Sequence, residues 1–155
     1  PSFNGADIPC KLEGEIVDRE VEIDGSTLKV TCVNVGIPHC VVFVDKVDDV
    51  DIEALGQSIV YSGLFPEGVF VECVRVVNNI TVKARVWEKI NGETWACGTA
   101  AAASALAAIA LGKCTQGQII TVKLKGGDLF VRLNDDGTVE LDGSVRESFR
   151  GIIEI

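Results

Sequence analysis

Cys97-Gly98-Thr99-Ala100-Ala101-Ala102-Ala103-Ser104-Ala105-Leu106-Ala107-Ala108-Ile109-Ala110-Leu111-Gly112 is the stretch that decides the fold of this chain. Alanine and leucine are strong helix formers and Gly112 is a ready C-terminal stop, so the run predicts a helix from about Gly98 to Leu111. That helix has no polar stripe. A helix that is apolar nearly all round is a buried helix. Its small alanine side chains let a sheet approach and curl around it on all sides. The expected architecture is therefore an α+β domain in which a curved, barrel-like, mostly antiparallel sheet wraps one central buried helix, in preference to a sandwich or a doubly wound sheet.

Strand signals dominate on either side of the helix. Glu15 to Ile23 alternates Ile16, Val17, Val21 and Ile23 with acidic residues, Asp24-Gly25-Ser26 is turn chemistry, and Leu28 to Val35 completes a hairpin. After Pro38, His39 to Val44 is a compact strand that ends in an acidic run, Asp45 to Asp51, read as a solvated face. Asp51 to Ser58 places Ile52, Leu55 and Ile59 at helical spacing behind an Asp51 N-cap, which predicts a short surface helix. Phe65-Pro66-Glu67-Gly68 is a turn. Val69 to Val77 and Ile80 to Trp87 form a hairpin across Asn78-Asn79, with Lys83 and Arg85 directed away from its apolar face. Strands are expected again over Gln118 to Lys123, Asp128 to Leu133, Thr138 to Leu141 and Arg146 to Ile155, joined by Gly126-Gly127, Asp135-Asp136-Gly137 and Asp142-Gly143-Ser144.

The 155 residues suit a single domain, 1–155, with a real core, and the 47% apolar content is that of a globular chain. A net charge of −9 argues against nucleic acid as a partner, because phosphate binding needs clustered Lys and Arg. No apolar run approaches the roughly 20 residues that span a bilayer. Six cysteines without a Cys-x-x-Cys pair, beside a single histidine, do not form a zinc signature. Several of them sit in apolar strand-like runs, which fits reduced thiols and a cytoplasmic protein. The sequence starts at Pro1 and holds no methionine, which fits either a processed N-terminus or a piece of a longer chain. No phosphate loop is present, and nothing calls for a metal, pyridoxal phosphate or a nucleotide; no cofactor is expected.

Cys97 carries the chemistry. The first turn of a helix leaves backbone N–H groups without partners and bears the positive end of the macrodipole, so it favours a sulfur anion and a bound carboxylate alike. Gly98 permits close approach of a ligand to the backbone, and the Thr99 hydroxyl adds a donor. Read bare, the cysteine is equally a small core hydrophobe, His39 a strand histidine resting against a backbone carbonyl, Glu88-Lys89 solvated loop charge, and Ile37 and Phe70 pocket lining or core.

The elements Gly36-Ile37-Pro38-His39-Cys40, Phe65-Pro66-Glu67-Gly68, Trp87-Glu88-Lys89, Gly92-Glu93-Thr94-Trp95-Ala96-Cys97-Gly98-Thr99 and Gly126-Gly127-Asp128-Leu129 resemble, in order and spacing, the C-terminal half of diaminopimelate epimerase. The resemblance implies a cofactor-independent isomerase of lysine biosynthesis. Such an enzyme has two pseudo-symmetric domains, each giving one cysteine as acid or base on opposite faces of the substrate α-carbon. It implies that Cys97 is the cysteine of the second domain, that Gly98 and Thr99 hold the α-carboxylate of an amino-acid substrate, and that Glu88 and His39 tune the thiols. The opposite thiol must then come from an N-terminal half-domain or from a second copy of this chain in a homodimer. Phenazine-biosynthesis and proline racemase groups fit less well, the former for want of a cysteine here and the latter for its different lead-in.

At the substrate-reading positions the chain departs from the family. Ile37 and Phe70 stand where asparagines are expected, Lys89 replaces an arginine, and Ala100 replaces a glycine. Two amide side chains become apolar, and a bidentate fork becomes a point charge. The changes keep open a second reading, a binding or structural module that has lost turnover, in which Cys97 is dispensable.

Overall fold

The computed structural model describes residues 1–154. Nine strands form one open, curved sheet: β1 (Arg19–Ile23), β2 (Ser26–Asn34), β3 (Pro38–Phe43), β4 (Phe70–Asn78), β5 (Thr81–Glu88), β6 (Gly92–Thr94), β7 (Ile120–Leu124), β8 (Gly127–Leu133) and β9 (Val139–Gly143). Their order is β1-β2-β3-β4-β5-β7-β8-β9, with β6 paired to β5 off this path. Neighbours are antiparallel except β3–β4 and β5–β7, which run parallel. Each parallel step needs a crossover, and a helix supplies it: α1 (Ile52–Tyr61) between β3 and β4, and α2 (Gly98–Ala110) between β5 and β7.

The expected central helix is α2. Every residue from Ala100 to Ala108 is buried, and the sheet packs around them from β2 to β9. The one polar residue in that run, Ser104, satisfies its hydroxyl on the Ala100 carbonyl at 2.7 Å. On the α2 side of the sheet Val33, Val41, Val74, Val82, Ala84 and Val86 close the larger core cluster. The other side carries Cys32, Cys40, Cys73 and Trp87 beneath α1. Because the middle strands are covered on both faces, they read as continuous apolar runs rather than an alternation.

α1 begins where its cap predicts, with the Asp51 carboxylate accepting from Ala54 N at 3.0 Å. It lies on β4 and β5 at Gly56, where an added Cβ would come within 2.7 Å of Trp87 Cγ and closer still to Cδ2 and Cε3 of the same indole. The acidic run folds as a short 3₁₀ turn, Val47–Asp49, with Val47 buried. Lys83 and Arg85 do face away from α2, but they meet this turn rather than open solvent. Lys83 pairs with Asp48 at 2.7 Å, and Arg85 donates to the Val47 and Val50 carbonyls at 3.1 and 2.8 Å.

Two expectations are corrected. The first hairpin starts at Arg19 rather than Glu15, because Asp18 adopts φ 49°, which breaks extended backbone. The expected last strand over Arg146 to Ile155 is not formed in residues 146–154, while Ile155 lies outside the described residues. A strand requires a partner, and these residues pair with no strand of the sheet, whose path ends at β9. Val145, Phe149, Ile152 and Ile153 are accordingly exposed. Among the described residues no helix is long and apolar enough to cross a membrane.

Candidate functional site

Cys97 is the last extended residue before α2, at φ −146° and ψ 124°. Its carbonyl starts the helical ladder by accepting from Ala101 N at 3.0 Å. Its half-buried thiol lies 3.3 Å from the Thr99 hydroxyl. No side chain caps α2, in contrast to α1 and its Asp51. The first-turn N–H groups of α2 are therefore left for another acceptor. Gly98 and Thr99 line a cavity of about 480 Å³ together with Asn34, Gly36, Thr138 and Leu141. An uncapped helix mouth opening on a cavity beside a thiol can hold a carboxylate and move a proton near it.

The chain leading into Cys97 is fixed twice. Gly126 N donates to the Trp95 carbonyl at 2.6 Å, and a Cβ at Gly126 would stand 3.0 Å from that same oxygen. This position is glycine for space. One strand earlier, the Arg85 guanidinium grips Glu93 of β6 at 2.7 and 3.2 Å, which holds the Glu93 carboxyl below its ordinary range and ties the hairpin to the sheet.

The remaining residues singled out in the sequence gather at one end of the sheet. His39 pairs with Phe70 across β3–β4 and Val71 with Trp87 across β4–β5, so Phe70 and Glu88 lie level with the β2–β3 turn. Ile37, Phe70, Glu88 and Lys89 line a second hollow of about 310 Å³ with Val69 and Ile90. The β2–β3 turn is the ridge between the two spaces, since Gly36 faces the first and Ile37 the second. Lys89 lines the hollow but carries its ammonium over the Tyr61 ring, 5.3 Å from the centroid.

His39 is fully enclosed, and its partner is not a backbone carbonyl but a carboxylate that sequence reasoning missed. Nδ1 stands 2.7 Å from Glu72 Oε1, with both side chains at 0% exposure. The Phe70 ring, which lines the hollow, lies 5.4 Å from the imidazole. Burial pushes the Glu72 carboxyl up, while the attraction and hydrogen bond of His39 pull it partway back. Nε2 of His39 and Oε2 of Glu72 have no protein partner. One signal for Glu72 was available: a lone acid inside Val71-Glu72-Cys73-Val74 needs a buried partner, and the chain has one histidine.

The other cysteines differ in kind. Cys32, Cys40, Cys73 and Cys114 are buried, and Cys10 is half-buried. Burial pushes the Cys73 thiol up to about 11, and contact with Cys32 followed by burial raises Cys40 well above its ordinary value. Such thiols are inert at neutral pH. Among the described residues, no group of three or more His, Cys, Asp or Glu side chains is arranged to hold a metal ion.

The chain is similar to known proteins in sequence and in fold. The family model for diaminopimelate epimerase matches residues 31–146. Diaminopimelate epimerase of Caldanaerobacter subterraneus subsp. tengcongensis is 39% identical over 156 residues, covering 100% of this chain and 56% of that protein. The Acetivibrio thermocellus protein of the same name is 39% identical over 157 residues, covering 100% and 55%. The chain thus spans about half the length of the relatives it matches. In structure it is similar to a probable proline racemase from Agrobacterium radiobacter K84, with TM-score 0.57 and 18% identity over 76% of this chain and 41% of that one. A Bacillus anthracis phenazine biosynthesis protein of the PhzF family gives TM-score 0.52 and 14% identity over 79% and 40%. These two likenesses establish the shared fold, a curved sheet on a central helix.

Proposed function

The chain belongs to the diaminopimelate epimerase family, and on that premise we propose that it is half of a cofactor-independent amino-acid epimerase or racemase in which Cys97 is one of two acid/base thiols. The observation that carries the reading is the uncapped mouth of α2, which sets Cys97 beside the free N–H groups of Gly98 and Thr99 at the edge of a cavity. A substrate α-carboxylate accepts hydrogen bonds from those groups, which places its α-carbon beside the Cys97 sulfur. The Cys97 thiolate removes the α-hydrogen as a proton, and charge flows from the α-carbon into the carboxylate. The same N–H groups and the helix dipole stabilise that charge, the setting in which fixed donors act most strongly. A positioned acid or base contributes about 10²–10⁴-fold to such a step.

Inversion requires a proton from the opposite face. We assign that role to a thiol outside this chain's own helix mouth, on an N-terminal half-domain or on a second copy. Glu88, at the level of Phe70 on the α2 side of the sheet, serves to tune the thiols, and His39 acts from beneath Phe70 with Glu72 holding its ring. Ile37, Phe70 and Lys89 border the substrate, and a role in lysine biosynthesis follows if that substrate is diaminopimelate. The apolar residues at Ile37 and Phe70 favour a second reading, a module that binds its ligand without turnover and in which Cys97 is dispensable.

The stereochemical course tests the choice. Enantiomerically pure amino acids, diaminopimelate included, are incubated with the chain at increasing concentration and the enantiomers are separated. The proposal expects loss of configuration that disappears in Cys97→Ala and, where a second copy supplies the other thiol, rises faster than linearly with chain concentration. Amino acids that keep both configuration and α-hydrogen in the presence of the wild-type chain overturn it.

A further inference from the structure

The second hollow offers poor accommodation for an anionic group. Its walls are Ile37, Pro38, Val69, Phe70 and Ile90, none of which brings a side-chain hydrogen-bond donor or acceptor. Its charged side chains are Glu67, Glu88 and Lys89. The one cation among them, a point charge rather than a fork, rests over the Tyr61 ring. A ligand carboxylate entering here would lose water, meet two carboxylates and find no fork to receive it. The buried polar pair His39–Glu72 gives no help, because both side chains are fully enclosed and neither lines the hollow. An apolar side chain, in contrast, is rewarded by every wall it touches.

Location ties this hollow to the helix mouth. The β2–β3 turn separates the two spaces by a single residue step, Gly36 on the Thr99 side and Ile37 on the Phe70 side. The two spaces thus meet at one turn, with the helix mouth on one side of it and the hollow on the other. We infer that the hollow of Ile37, Phe70 and Ile90 is a side-chain subsite for a neutral, apolar α-amino acid, of the size of leucine or norleucine, and not for a side chain ending in a second carboxylate. This inference rests on the proposed function for the position of the carboxylate. It goes beyond it in naming the substrate class.

The experiment uses the whole chain labelled at the isoleucine and valine methyls and at phenylalanine, titrated in heavy water with L- and D-leucine, L-norleucine, L-lysine and meso-diaminopimelate. Leucine or norleucine is expected to shift the Phe70, Ile37 and Ile90 signals and to bind at least tenfold more tightly than diaminopimelate. Phe70→Asn should abolish that preference. Ile90→Ser, at a residue 90% exposed and so harmless to folding, should weaken leucine several-fold. Tighter binding of diaminopimelate, leucine that leaves Phe70 and Ile90 unshifted, or no binding by any probe overturns the inference. The α-hydrogen signal of each probe reports on Cys97 separately. Apolar preference without exchange upholds the subsite and refutes the catalytic reading, whereas exchange confined to diaminopimelate does the reverse.

Discussion

Gly126 and Gly127 are adjacent glycines required for different reasons, and replacing each by alanine separates space from backbone conformation. A methyl at Gly126 would stand 3.0 Å from the Trp95 carbonyl oxygen and 3.3 Å from Ala96 Cβ, just upstream of Cys97. Ordinary contacts of this kind are about 3.5–4.0 Å, so the Trp95–Ala96 peptide must retreat by about half an ångström. The Gly126 N–H bond to Trp95, 2.6 Å in length, stretches with it. Overpacking and a weakened hydrogen bond together cost about 1–2 kcal/mol, or about 2–8 °C in thermal midpoint for a chain of this size. Gly127 has no atom within 4 Å of its would-be Cβ but holds φ +135°. Alanine there costs about 1–3 kcal/mol through backbone strain and pushes on nothing. Stability alone will not distinguish the two variants; the thiol will. Alkylation of native chain by iodoacetamide, read at the Cys97 peptide by mass spectrometry, should change at least threefold in Gly126→Ala and less than twofold in Gly127→Ala. Equal changes in both would refute the argument that Gly126 positions the lead-in to the helix mouth.

Three further outcomes are expected. Gly56→Ala drives a methyl into the buried Trp87 indole and should lower the thermal midpoint by about 4–8 °C despite the better helix propensity of alanine; an unchanged midpoint would mean that α1 does not rest on Trp87 as described. Glu72 has a folded-state pKa raised by burial, so its contribution to stability is present below the ordinary carboxylate pKa and is lost as pH rises through the folded value. Denaturant titrations should therefore show the gap between wild type and Glu72→Gln moving in favour of the variant as pH rises from 4, by at most about 1.4 kcal/mol per pH unit, and a gap constant from pH 4 to 8 would contradict this. Arg85→Lys replaces a fork bound to Glu93 and to two carbonyls by a point charge; a loss of about 2 kcal/mol in equilibrium unfolding is expected, and a loss below about 0.5 kcal/mol would show that β6 is held by other means.

The features that could be read from sequence are those with a local cause. The alanine run has one stable solution, a buried helix, and a sheet wrapped around it follows from the small side chains. The Asp51 cap and the hairpin turns likewise carry their chemistry within a few residues. What escaped depends on partners distant in the chain. β6 is three residues long, too short to show a period, and exists because Glu93 and its neighbours pair with β5. The His39–Glu72 contact spans 33 residues across the α1 crossover, and only the parallel register of β3 and β4 brings it about. Arg146 to Glu154 has the composition of a strand but pairs with none of the sheet's strands, so composition misleads there. At the site, the motif around Cys97 revealed the helix mouth. The separation of the two spaces by the β2–β3 turn, and the engagement of Lys89 with Tyr61, needed the folded chain.

The central claim is that Cys97 takes the α-hydrogen of an amino acid whose carboxylate lies at the mouth of α2. The most direct measurement is wash-in of solvent deuterium at the α-carbon, followed by NMR over a panel of apolar and charged amino acids, with wild-type chain and Cys97→Ala at equal concentration and equal thermal midpoint. Exchange is expected with at least one amino acid in the wild type, reduced at least 100-fold, or about 2.7 kcal/mol in barrier, by the substitution. Exchange that survives in Cys97→Ala, or a wild-type chain that exchanges none of them, would contradict it.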